Sequence, residues 1–356
     1  MGLHRSLMAL VLVAAPALSY SVALGQAASL PTEVVMTNST LTGAQQNQIN
    51  QFVTRGVEQL LSGDPAAVSQ GRRQLVDVFS LPGISDAFLA TYSPAISREL
   101  NARAALEHES DLVRTNAMIV ASRLSDGGVV ALIRQGLADA NAGVRYWAAV
   151  TAAQAGSKLS PADQQSVLNL LASVWETESS IDVLEKILLA MDAQRTPAAN
   201  TMLLQALNQR VNIHAGNPTL SMKAEVESLQ SVTVRTFTAL TAPNANVDPK
   251  LVRQLVVVLF RYFDLSTTLQ ANTATPPANL EDLRRISRIA GNFLPRLAAQ
   301  LEVRLNGRPA NQTSLQADKL LREEWRHALT TGSSGINASE LVIQPATPAK
   351  PATTQP

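Results

Sequence analysis

Glu324-Trp325-Arg326-His327 places a carboxylate and an imidazole three residues apart, the Glu-x-x-His spacing with which helical bundles hold paired metal ions. Such a centre needs a second copy of the motif and two further glutamates on other helices, and the sequence has no second copy. Glu107-His108-Glu109 sets an imidazole between two carboxylates, which would favour its charged form; its polar neighbours place it instead in a solvated turn. Arg284, Arg285 and Arg288, extended by Arg296 and Arg304, could form a basic strip for an anion. Glu281 stands four residues before Arg285, the spacing of a helical ion pair, so a solvated helix face accounts for the strip more simply.

Composition removes whole classes of chemistry. The 356 residues include no Cys, which rules out a thiol nucleophile, Cys-ligated zinc, disulfides and a lipid-modified Cys anchor. No Gly-rich loop ends in Gly-Lys-Ser/Thr, so no phosphate-cradling loop of that kind is present. Gly332-Ser333-Ser334-Gly335 lacks the Gly-x-Ser-x-Gly spacing of a nucleophile elbow. Beyond His4 the histidines are His108, His214 and His327, and no two are within four positions, so none forms a local metal-binding pair. The reading is therefore of a non-enzyme, with no catalytic residue, cofactor or metal.

The elements that would position any partner-binding group come from a pattern written twice. Leu106, Asp111-Leu112-Val113-Arg114-Thr115-Asn116-Ala117 and Val120-Ala121 return as Leu137, Asn141-Ala142-Gly143-Val144-Arg145-Tyr146-Trp147-Ala148 and Thr151-Ala152, always 31 residues later. Val113, Ala117, Val120, Ala121 and Leu124 lie on one helical face, and Val144, Ala148, Thr151, Ala152 and Ala155 repeat it. Small alanines on that face allow close helix approach. Polar turns at Glu109-Ser110-Asp111 and Asp139 to Gly143 offer side chains to the unpaired N–H groups of the following first turn. Val129, Leu132, Ile133 and Leu137 mark a shorter helix between the copies. One helix-turn-helix unit cannot cover its own apolar face, so such units stack.

Val-Arg-x-x-Ala after a short polar turn resembles the short bacterial HEAT-like repeat, an α-solenoid family, and the clear match covers residues 106–156. The resemblance implies that Val113 and Val144 are core, that Arg114 and Arg145 tie adjacent repeats, and that Ala117 and Ala148 set helix spacing. It also implies a protein-binding scaffold, with an enzyme-accessory, lyase-like subunit as an alternative. Tyr146 points away from the Val144 face. It reads equally as a partner anchor or as a ring packed between helices.

In chain order, Met1 to Ala27 reads as a signal peptide: His4 and Arg5, an apolar run from Leu7 to Ala15, and a small-x-small site at Gly25-Gln26-Ala27. The run is too short to span a bilayer, which takes ~20 residues. Removing Arg5 lowers Lys+Arg from 29 to 28 against 28 Asp+Glu, and this neutrality, with export, argues against nucleic acid as a partner. Residues 28–42 are expected to be loose, 43–212 to form HEAT-like repeats, 213–329 a less regular helical region, and 330–356 a disordered Pro/Thr/Ala-rich tail. Within this frame, separate helices are expected over 84–92 and from Ser93-Pro94, loops over Asn212–Thr219 and Thr267–Asn279, and a helix from Leu280 kinked or split at Pro295. Asn38, Asn311 and Asn337 begin glycosylation-type triplets. The predicted molecule is an exported, periplasmic or secreted, all-α solenoid with no transmembrane span in the mature chain. It binds another protein, with the structural role of a cell-envelope spacer as a further alternative.

Overall fold

Four helices begin at the same device, a capping side chain followed by proline. Asp64, Ser160, Thr196 and Asp248 accept backbone N–H bonds from Ala67, Asp163, Ala199 and Lys250 at 2.8, 3.2, 3.1 and 2.9 Å. Pro65, Pro161, Pro197 and Pro249 follow, at the position where a missing N–H costs nothing. A computed structural model describes residues 30–243, 247–273, 275–307 and 315–345, the last segment by backbone alone at 315–317. Its helices are α1 (Thr32–Val35), α2 (Gly43–Leu60), α3 (Pro65–Asp77), α4 (Asp86–Ala102), α5 (Asp111–Ala121), α6 (Val129–Leu137), α7 (Ala142–Ala155) and α8 (Pro161–Trp175). There follow α9 (Ile181–Gln194), α10 (Pro197–Gly216), α11 (Lys223–Thr241), α12 (Pro249–Leu269), α13 (Pro277–Ala299), α14 (Leu315–Thr331) and α15 (Ala338–Leu341). No strand occurs among the described residues; the fold is all-α.

The helices pack in two interleaved series. α3, α5, α7, α9, α11 and α13 each rest on the next of that series, and α4, α6, α8, α10, α12 and α14 do the same. Neighbours in the chain pair across the two series, most extensively α2 with α3, α6 with α7, and α12 with α13. Each helix therefore buries one face against its own layer and another against the opposite layer. Val113, Ala117, Val120, Ala121, Leu124, Val144, Ala148, Thr151, Ala152 and Ala155 are all buried, and the alanines let α5, α7 and α9 approach closely. α2 and α3 approach closely at Gly71. A Cβ on Gly71 would lie 2.5 Å from the Leu60 nitrogen and 2.6 Å from the Gly56 oxygen, so only glycine fits there.

Several expectations are corrected by packing. Pro94 lies inside α4 rather than opening a new helix, because Phe88, Tyr92, Ile96 and Leu100 form one buried stripe across it. At ~1.5–3 kcal/mol per buried large apolar side chain, that stripe outweighs the ~3 kcal/mol of an interior proline. α13 likewise continues through Pro295, with Leu294, Leu297 and Ala298 fully buried around it. It begins at Pro277, inside the expected loop, and α12 extends into the same interval as far as Leu269. α10 runs to Gly216 where a loop was expected from Asn212, because Val211 and His214 are buried on it.

The two supposedly loose ends are also partly built. Val34, Val35 and Leu41 are buried, and the Val35 carbonyl accepts from Ser85 N–H at 3.0 Å, so residues 30–42 cover the α2–α4 end. In the tail, Ile336 and Leu341 are buried and the chain is held against the body as far as Gln344, because these two apolar side chains find cover there. The signal-peptide reading, the Asn311 triplet and residues 346–356 lie outside the described residues. No helix among the described residues is long and apolar enough to cross a membrane.

Candidate functional site: a cationic cleft beside a buried charge cluster

Arg114 and Arg145 occupy equivalent places. Arg114 Nη1 donates to the carbonyls of His108 and Glu109 at 2.7 and 3.1 Å; Arg145 Nη1 donates to those of Asp139 and Ala140 at 2.9 and 2.8 Å. Each then reaches forward to the next helical pair. Arg114 Nε meets Asp139 at 2.7 Å, and Arg145 grips Glu178 in a two-point fork at 2.6 and 3.0 Å. The acceptors also order their own turns: Asp139 takes the Asn141 N–H at 2.7 Å and Glu178 takes the Ser180 N–H at 2.8 Å. His108 Nδ1 takes the Ser110 N–H at the corresponding place, 3.0 Å away. Burial alone would push the Glu178 carboxyl up; the Arg145 hydrogen bond, with the Ser180 and Ser179 N–H groups, holds it below the usual carboxylate value.

Tyr146, Arg284, Arg285 and Arg288, also singled out by sequence, have partners within the chain. Tyr146 is half-buried, meets Trp147 edge-on with centroids 5.8 Å apart, and carries the Lys186 ammonium 5.4 Å above its ring. Arg288 pairs with Glu281 at 2.9 Å, and Arg284 and Arg285 lie 3.8 Å from Glu281 and Asp282. In the Glu-x-x-His stretch, Glu324 and His327 face outward. Trp325 and Arg326 dock the helix instead: Trp325 Nε1 donates to the Asn306 carbonyl at 2.7 Å, and Arg326 with Arg322 holds Asp264 of α12 at 2.7 and 3.1 Å. Among the described residues no group of three or more His, Asp or Glu side chains could hold a metal ion.

Two assemblies emerge only in three dimensions. The first lies between α10 and α11. Arg210 Nε donates to Glu225 Oε1 at 2.5 Å, and His214 Nε2 lies 2.9 Å from the same oxygen, all three side chains being fully buried. Burial pushes the Glu225 carboxyl up, but His214 and Arg210 together hold it below the usual value. Arg210 Nη1 and Nη2, His214 Nδ1, Glu225 Oε2 and Ser228 Oγ have no hydrogen-bond partner in this structure.

The second is a cleft of about 500 Å³ on the opposite flank of α10, closed by α12, by α15 and by the residues just after α15. Lys250, Arg253, Val257, Val258 and Arg261 line it at the spacing of one face of α12. Arg253 is held by the chain around α15, donating to the Gly335 carbonyl just before that helix at 2.6 Å and to Glu340 on it at 2.7 Å. Arg261 is 5% exposed, and its guanidinium meets only amides: Asn208 through side chain and carbonyl, and Asn212 Oδ1 at 2.5 Å. The Asn212 oxygen also accepts the Gln344 N–H at 3.1 Å. Burial pulls the Arg261 pKa below the usual guanidinium value; the nearby Tyr262 and Asp264 act against that shift.

Sequence reasoning sees Arg253 and Arg261 only as borders of an apolar run and His214 only as isolated. The available signals were Arg210 and His214 four residues apart, one helical turn, and a cation set between Phe260 and Tyr262. Comparison of the chain with models of known protein families, with curated proteins and with solved structures gave no match.

Proposed function

We propose that the chain is a non-catalytic binding module, a HEAT-like stack of helical hairpins in an exported protein, which holds a segment of another protein. The alternating packing order and the equivalent Arg114 and Arg145 bridges support the HEAT-like reading. The observation that carries the binding role is the α10–α12 cleft: a concave, cation-bearing surface with valines for apolar contact and side-chain amides for hydrogen bonds. A protein segment offers matching chemistry, since extended chain presents backbone groups to amides and alternate side chains to a groove.

The test is in-cell crosslinking and pulldown of the processed protein, with N-terminal sequencing of the recovered chain. The reading expects one stoichiometric protein partner, a mature start after Ala27, and at least tenfold lower recovery with Lys250→Glu. Tyr146→Ala and the Arg285→Glu, Arg288→Glu pair serve as comparators, and recovery should survive both. A partner recovered undiminished by Lys250→Glu and lost with either comparator would refute the cleft as the contact surface. Recovery of a bound small molecule and no macromolecule would favour the enzyme-accessory alternative.

A further inference from the structure

Resting on the binding-module reading, we infer that the Arg261 end of the cleft receives a carboxylate, and that the partner segment is an acidic extended peptide. Arg261 is more than nine-tenths buried, lines the cleft, and among the described residues forms no ion pair with a carboxylate. The nearest acid in sequence, Asp264, is taken by Arg322 and Arg326. Arg261 Nε is buried without a hydrogen-bond partner, and so is Arg253 Nε at the other end. A guanidinium desolvated against amides alone forgoes the two-point carboxylate pairing to which its geometry is suited.

The rest of the lining is donor-rich for a definite reason. A guanidinium has only N–H groups to offer, so Asn208 and Asn212 must turn their carbonyl oxygens toward Arg261. Their NH2 groups are thereby directed away from it, where an acceptor on a ligand can use them. The chain itself displays the chemistry at the other end. Glu340 sits on Arg253, while the neutral Gln344 takes the place beside Asn212. Arg253 and Arg261 are eight residues apart on one helix, about 12 Å at the α-helical rise. One cation is thus supplied with a carboxylate from within and the other is left for a ligand. Lys250, Arg253 and Arg261 against Glu340 give the cleft a positive balance that suits an acidic segment.

Fluorescence anisotropy with the full chain tests this, using fluorescein-labelled hexaglutamate, with hexaglutamine and inorganic phosphate as comparators. Saturable hexaglutamate binding is expected, with none for hexaglutamine and no competition by millimolar phosphate. Arg261→Met should weaken binding about tenfold or more, since a charge-assisted contact is worth ~1.5–3 kcal/mol. Arg261→Lys, which keeps the charge and loses the fork, should fall between, and it replaces the Met variant if circular dichroism shows that variant unfolded. Glu340→Gln frees Arg253 and should tighten binding. Equal affinity for Arg261→Met and the unaltered protein overturns the proposal, as does phosphate competing as well as the peptide, which would mark a free-anion site. The two readings fail separately. A partner captured regardless of Arg261 leaves the binding module and removes the carboxylate site. Arg261-dependent hexaglutamate binding with no protein co-purifying removes the partner and leaves the site.

Discussion

The α5–α9 half and the α10–α12 region both set arginines against polar groups across helices, yet they finish the task differently. In the first, Arg114, Asp139, Arg145 and Glu178 leave no buried side-chain atom without a partner, and each carboxylate also orders a helix start. In the second, Arg210, His214, Glu225, Arg253 and Arg261 all carry buried atoms without one. A fully satisfied network fixes geometry and has nothing left to offer a ligand. An incompletely satisfied one sits in a low-dielectric setting where any further partner counts for more. The contrast lies between these two sets of residues and not between whole halves, since Asp192 and Gln194 of α9 also carry buried atoms without a hydrogen-bond partner; it is consistent with the proposed division between bridges that order the stack and a cleft that binds.

The comparison breaks most readily at Glu225. Glu225→Ala strands the buried Arg210 cation and should cost about 3–5 kcal/mol, read as a lower urea midpoint. Replacing Arg210 and Glu225 together with methionine should cost far less, because no unpaired charge remains. The pH dependence follows the same group. The folded pKa of Glu225 lies below its usual value of 4.5, so its contribution is complete above about pH 4.5 and is lost as pH falls toward the folded value. Urea midpoints for Glu225→Gln and the unaltered protein should therefore differ most above pH 4.5 and converge in acid.

Arg145→Ala should come next, at about 2 kcal/mol. It leaves the buried Glu178 with only the Ser179 and Ser180 N–H groups, so urea unfolding and exchange of the α9 first-turn amides should both respond. An unchanged midpoint would mean the bridge does not tie the stack. Tyr146→Ala should cost about 1 kcal/mol for a half-buried ring with one edge contact and one overlying ammonium. Arg288→Ala, on an exposed pair, should move the midpoint by less than about 0.5 kcal/mol.

What was readable in advance follows from range. Val113, Ala117, Val144 and Ala148 declare their face within one helix, and caps such as Asp64-Pro65 act over three residues, so the helices and much of the core were legible. The fate of Pro94 and Pro295 was not, because the balance depends on what the rest of each helix buries. The tail's polar composition concealed Ile336 and Leu341, whose cover lies on distant elements. The candidate cleft was the least legible part. Arg261 and Asn212 are 49 residues apart, and Arg253 and Glu340 are 87 apart. No local pattern announces either pairing, whereas Arg114 and Arg145 recur 31 residues apart and can be read from the repeat itself; their partners Asp139 and Glu178, 25 and 33 residues further on, cannot.

The most direct measurement places a photo-crosslinking amino acid at Gln254, inside the cleft, and separately at Arg285, on the α13 strip, in the full chain within its own cells. The account predicts a discrete crosslinked protein from position 254 that disappears with Arg261→Met, and none from position 285. A crosslinked partner from position 285 with none from 254 would contradict it and return the binding surface to the strip.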